Sequence, residues 1–151
     1  MPASGKAVLY IDDSADDLFL FQKAAAQAAV SFALQLLDSG KEGLNYLQGA
    51  GKYSKSPLPD FILLDLKMPV PDGLSVLRWI RSQSNFSQIT ICIFTSSFQH
   101  EDIQETYARG ANCFVTKPAA FDRLIAIATA IDQFLTSSRI AVLKELPEFR
   151  R

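Results

Sequence analysis

The chain is short of cysteine and histidine, with two of the former and one of the latter, and it has no long apolar run. No window approaches the roughly 18 uncharged apolar residues that a membrane helix needs, so no span is expected. The opening MPASGKAVLYIDD offers one lysine and a five-residue apolar run before two aspartates. That is too little for a secretory signal, and a cytoplasmic location is expected. Cys92 and Cys113 lie in apolar, strand-like segments without C-x-x-C spacing, which predicts buried core thiols rather than a disulfide or a metal pair. The single histidine, His100, falls early in a charged helix, so no Ser/His/Asp triad can be built. The net charge is −1 and the basic residues are scattered, which argues against a nucleic-acid binder. Gly51-Lys52 is not a phosphate-binding loop, because Tyr46 stands where the earlier glycine is required and Tyr53 where Ser or Thr is required. The sequon Asn85-Phe86-Ser87 carries no meaning without a secretory signal.

What is present is an alternation. The 151 residues are 48% hydrophobic and 21% charged, enough to bury a single core. Residues 7–11 read as a buried strand, followed by Ser14 as a helix cap with Asp17 as its box partner. Residues 32–37 predict a second strand, and Ser39 with Glu42 opens a second helix ending at Gln48. A polar connection rich in Pro, Gly and Ser leads to a strand over 60–64. Gly73 begins a helix with Leu74, Leu77 and Ile80 at helical spacing. Residues 90–94 predict a strand, 98–109 a helix stopped by Gly110, 113–115 a short strand and 121–135 a one-faced apolar helix. Five strands alternating with five helices predict an α/β fold, a parallel sheet doubly wound by helices. Strands without polar alternation fit burial on both faces.

In such sheets ligands gather at the carboxyl ends of the strands, and the polar clusters fall there. Asp12-Asp13 follow the first strand, Asp65 the third, Thr95-Ser96 the fourth and Lys117-Pro118 the fifth. Three clustered carboxylates repel one another unless a counter-charge joins them. A hard divalent cation with oxygen ligands, Mg²⁺ by preference, resolves the repulsion. Lys117 adds a mobile point charge for phosphate oxygens, and the Thr95 hydroxyl a donor. The set fits phosphoryl transfer onto Asp65, where positioning and charge stabilisation do most of the catalysis.

YIDD, LLDLKMPVPDG, FTSS and FVTKP, in this order over about residues 7–135, resemble the receiver domain of bacterial two-component response regulators. The long connection before the third strand, PLPDFILLDLKMP and the chain length look similar to small single-domain receivers associated with phytochrome-like histidine kinases. The resemblance implies the flavodoxin-like strand order 2-1-3-4-5, an order the chemotaxis receiver exemplifies. It implies Asp65 as phosphoacceptor, Asp13 as direct and Asp12 as water-mediated Mg²⁺ ligand, and the Lys67 backbone carbonyl as the third protein ligand. Thr95 and Lys117 match the residues that sense the phosphoryl group, and Phe114 the aromatic switch position. Lys67 and Ser97 match variable positions at the site's edge, from which Lys67 could reach the phosphoryl group. The Lys117-Pro118 bond is implied to be cis. The implied partners are a sensor histidine kinase or phosphotransfer protein and a downstream protein.

Residues 1–137 are expected to form the receiver, with 138–151 as a C-terminal extension. Ser138 is expected to cap a short final helix carrying Ile140, Leu143 and Leu146 and ended by Pro147. Whether this segment packs across the domain or contributes to a homodimer is left open. It is too short for an output domain, so output is expected to be a changed surface on the fourth and fifth strands and helices. Two other functions stand beside this one: an aspartyl-phosphate phosphatase of the haloacid-dehalogenase type, which needs a second acid where Lys67 stands, and a receiver-shaped binding module that is never phosphorylated.

Overall fold

In the computed structural model, which describes residues 5–96 and 98–151, the run AVLYI forms β1 (Ala7–Ile11) in the interior of the sheet. Ser14 starts α1 (Ala15–Ala28), its hydroxyl accepting from the Asp17 amide. The expected reciprocal bond from Asp17 is replaced, because the Ser14 amide donates to Asp12 Oδ1 at 2.9 Å. β2 (Ala33–Leu37) and α2 (Gly40–Gln48) follow, with Ser39 accepting from the Glu42 amide. Next come β3 (Phe61–Leu64), α3 (Gly73–Ser82), β4 (Thr90–Thr95) and α4 (His100–Ala108). β5 (Cys113–Thr116) and α5 (Phe121–Ser137) complete the alternation.

The first five strands are parallel in the order β2-β1-β3-β4-β5, as expected. The sheet has a sixth strand that the sequence reading lacks: β6 (Phe149–Arg150) pairs antiparallel with β5. Side chains alternate across the pleat and divide the core in two. Tyr10, Phe21, Phe94, Ile127 and Ile131 pack between the sheet and α1 and α5. Leu9, Ile11, Leu64, Leu77, Ile93 and Phe114 pack towards α2, α3 and α4. Cys92 and Cys113 are free, buried, and opposite each other in the β4–β5 register.

The sequence reading starts the fourth helix at residue 98, but α4 begins at His100. There the Gln99 amide donates to the Asp102 carboxylate at 3.0 Å, fixing the helix entry. His100 is exposed. Ser138 does not open the final helix. It terminates α5 in a left-handed conformation (φ 60°), with its amide bonded to the Phe134 carbonyl. The short helix that follows, α6 (Ala141–Lys144), packs on α5 and buries Leu143. Residues 138–151 therefore lie across the domain. Among the described residues no helix is long and apolar enough to cross a membrane.

Candidate phosphoacceptor site

Backbone pairing brings the acids together. The Asp12 amide donates to the Leu37 carbonyl and the Asp65 amide to the Ile11 carbonyl, each at 3.0 Å. The ladder thus runs one residue past β1 and β3 and sets Asp12 and Asp65 side by side. Across the other seam the Lys117 amide donates to the Thr95 carbonyl at 2.9 Å, carrying the lysine in from β5. Behind Asp65, a Cβ on Gly73 would run into the Asp65 carbonyl oxygen. Only glycine lets α3 begin so close to the loop.

Carboxylate oxygens of Asp12, Asp13 and Asp65 lie within 4.8 Å of one another. Asp12 is fully buried, Asp65 nearly so, and Asp13 is exposed. Asp12 Oδ2 accepts from the Tyr10 hydroxyl at 2.7 Å and from Lys117 Nζ at 2.6 Å. Lys117 Nζ also donates to Asp17 Oδ2 at 2.7 Å and lies 3.7 Å from Asp65 Oδ1. Thr95 is buried at the end of β4, and its hydroxyl lowers the Asp65 carboxyl.

Burial, with the neighbouring Asp12 charge, pushes the Asp65 carboxyl up to about 6, against the opposing pull of Lys117 and Thr95. Burial works against the Lys117 ammonium, but its bonds to Asp12 and Asp17 outweigh it and hold the group above its ordinary value. Burial beside Asp12 also raises the Tyr10 phenol, so it stays a donor. Among the described residues, the carboxylates of Asp12, Asp13, Asp17 and Asp65 gather at the Lys117 ammonium. The donor set is oxygen-only and short of positive charge, which fits a hard divalent cation. Asp13 and Asp65 have oxygens to spare for it, whereas Asp12 is already engaged by three donors.

Asp12, Asp13, Asp65, Thr95 and Lys117 thus converge as the sequence reading expects. Lys67 is different: its ammonium lies 3.5 Å from Asp102 on α4, turned to a surface ion pair instead of the site. Phe114 is fully buried on β5, with its ring 5.9 Å from that of Phe98. Ser97 lies outside the described residues. The Lys117-Pro118 bond is not cis; among the described residues the cis bond is Val70-Pro71. The lysine is aimed by its amide bond to Thr95 and by two carboxylates. Tyr10 and Asp17 were missed as site residues. The signal for Tyr10 was its spacing, since strand residues two apart share a face and Asp12 follows it by two.

The response regulator receiver domain family matches residues 8–129. The chain belongs to that family. Response regulator Rcp1 of a Synechocystis species is 31% identical over 129 residues, covering 85% of this chain and 88% of that one. The phosphorylated cyanobacterial phytochrome response regulator RcpA superposes with a TM-score of 0.80 at 32% identity, covering 89% of this receiver and 96% of RcpA. The Mn²⁺-bound form of Rcp1 gives 0.78 at 30% identity, with the same coverage. This receiver and its relatives therefore share the flavodoxin-like sheet.

Proposed function

We propose that Asp65 of this receiver accepts a phosphoryl group from a phosphohistidine on a sensor histidine kinase or phosphotransfer protein, in the cytoplasm. A phytochrome-like kinase is the proposed donor class, on the strength of the likeness to RcpA. The observation that carries the reading is the placement of Asp65: Lys117 Nζ stands 3.7 Å away, and Asp12 and Asp13 lie beside it.

An Asp65 carboxylate oxygen attacks phosphorus, forming a P–O bond as the P–N bond breaks. The electron pair returns to the imidazole nitrogen, which takes up a proton. Lys117 meets one phosphoryl oxygen, and the Thr95 hydroxyl donates to another. Asp13, Asp65 and the Lys67 carbonyl would hold Mg²⁺ directly and Asp12 through water. The ion supplies the positive charge that lets a phosphoryl dianion approach a carboxylate. Leu20 on α1 and Phe121 on α5 are exposed and form a small apolar surface. Leu20 and Phe121 line one small cavity of about 100 Å³ with Lys117, and we assign this surface to contact with the phosphodonor. The receiver acts as a phosphoacceptor rather than a turnover enzyme. Its output is a surface on β4, α4, β5 and α5, altered as Thr95 and Phe114 move together.

Acetyl phosphate with Mg²⁺, followed by intact-mass measurement beside an Asp65→Asn control, tests this. A stable gain of one phosphoryl group that needs Asp65 supports it. Steady phosphate release from added phosphate esters would indicate a phosphatase, and no reaction a binding module.

A further inference from the structure

The surface proposed for output is already occupied by the chain's own tail. β6 pairs with β5, with Arg150 opposite Phe114 and Phe149 opposite Val115. The Thr116 amide donates to the Glu148 carbonyl at 3.0 Å. The cover is tied down on both flanks. From α4, the Tyr107 hydroxyl donates to the Arg150 carbonyl at 2.6 Å. From α5, Arg123 makes two bonds to the Glu148 carboxylate, at 2.8 and 3.0 Å. The Arg150 guanidinium also sits 5.7 Å from the centre of the Phe98 ring.

We propose that residues 148–150 are an intramolecular cap on the β5 edge that phosphorylation of Asp65 loosens, so that the tail gates the output surface. This regulation rests on the phosphoacceptor reading above. Two short paths join the cap to the site. Phe98 follows Thr95 by three residues and touches both Phe114 and Arg150, at 5.9 and 5.7 Å. On the other path the residue bonded to Glu148, Thr116, precedes Lys117, whose amide is bonded to Thr95. If Thr95 turns toward a phosphoryl oxygen, it pulls on the strand end that supports Phe98 and the Lys117 amide. The cap then loses the aromatic ring under Arg150 and the register of Thr116 against Glu148. The edge uncovered is one strand wide, with a tyrosine hydroxyl on one flank and an arginine on the other. It suits an extended partner segment carrying a carboxylate at the position of Glu148.

Hydrogen exchange on the full chain, with and without acetyl phosphate and Mg²⁺, reads the cap through the Thr116 amide, and intact mass on the same sample reads phosphorylation. The expected result is a roughly tenfold faster exchange at Thr116 in the phosphorylated protein. Phosphorylation with unchanged exchange overturns the cap and leaves the phosphoacceptor reading standing. Absence of phosphorylation overturns both. Tyr107→Phe gives a second readout. Loosening the cap should tighten binding of beryllofluoride, a reversible phosphoryl mimic, about fivefold by linkage, and unchanged affinity counts against the proposal. Faster Thr116 exchange that appears only when protein concentration is changed would assign the cap to exchange between two copies and overturn the intramolecular form.

Discussion

The Lys117 ammonium lies 3.7 Å from Asp65 Oδ1, too far for a hydrogen bond and near enough for an ion pair. Its short bonds go to Asp12 and Asp17. The resting lysine is thus parked on neighbouring acids and leaves the Asp65 carboxylate under-compensated. This explains why burial and Asp12 prevail over Lys117 in setting its acidity.

Asp65→Asn should stabilise the protein, and the gain should depend on pH. The folded-state value is raised from 3.8 to about 6, so between these values the folded chain keeps a proton that the unfolded chain gives up. Stability of the wild type therefore falls as pH rises through that window, by on the order of 3 kcal/mol in total. In urea denaturation the variant should gain about 2–3 kcal/mol at pH 7–8 and nearly nothing at pH 4.

Mg²⁺ should raise the melting temperature of the wild type at pH 7.5. At about a hundred times its dissociation constant the ion contributes roughly 2.7 kcal/mol. The effect should fade as pH drops below about 6, when Asp65 takes up a proton. Asp13→Asn should lose most of the stabilisation while keeping its metal-free stability, because Asp13 is exposed. A scanning-fluorimetry titration with Mg²⁺ reads both.

Lys117→Met strips Asp12 of the ammonium bonded to it at 2.6 Å while leaving the carboxylate fully buried. Breaking a buried pair this way should cost about 3 kcal/mol at neutral pH. Equilibrium urea denaturation of the variant and the wild type at pH 7 provides the comparison.

Gly73→Ala places a methyl group against the Asp65 carbonyl oxygen. Neither partner is a flexible side chain, so α3 or the loop must shift, at a cost of about 2–3 kcal/mol. Phosphorylation by acetyl phosphate should slow along with the loss of stability.

The acids at the strand ends were legible because buried apolar runs mark where each strand stops. The Ser14 and Ser39 caps were legible because side chain and amide sit three residues apart. Asp17 was not, since its partner Lys117 lies 100 residues away and its local spacing fits a capping box equally well. β6 escaped because two residues after a proline carry no periodicity; what stabilises them is Tyr107, Arg123 and the β5 edge. The expected cap at Ser138 failed because that residue ends α5 in the left-handed region, a conformation that no side-chain pattern announced.

The central claim is that Asp65, and no neighbouring acid, forms the acyl phosphate. Borohydride reduces an aspartyl phosphate to homoserine, which peptide mass spectrometry locates by residue. After treatment with acetyl phosphate and Mg²⁺, homoserine should be found at position 65. Homoserine at position 12 or 13, or unmodified aspartate at all three, would contradict the account.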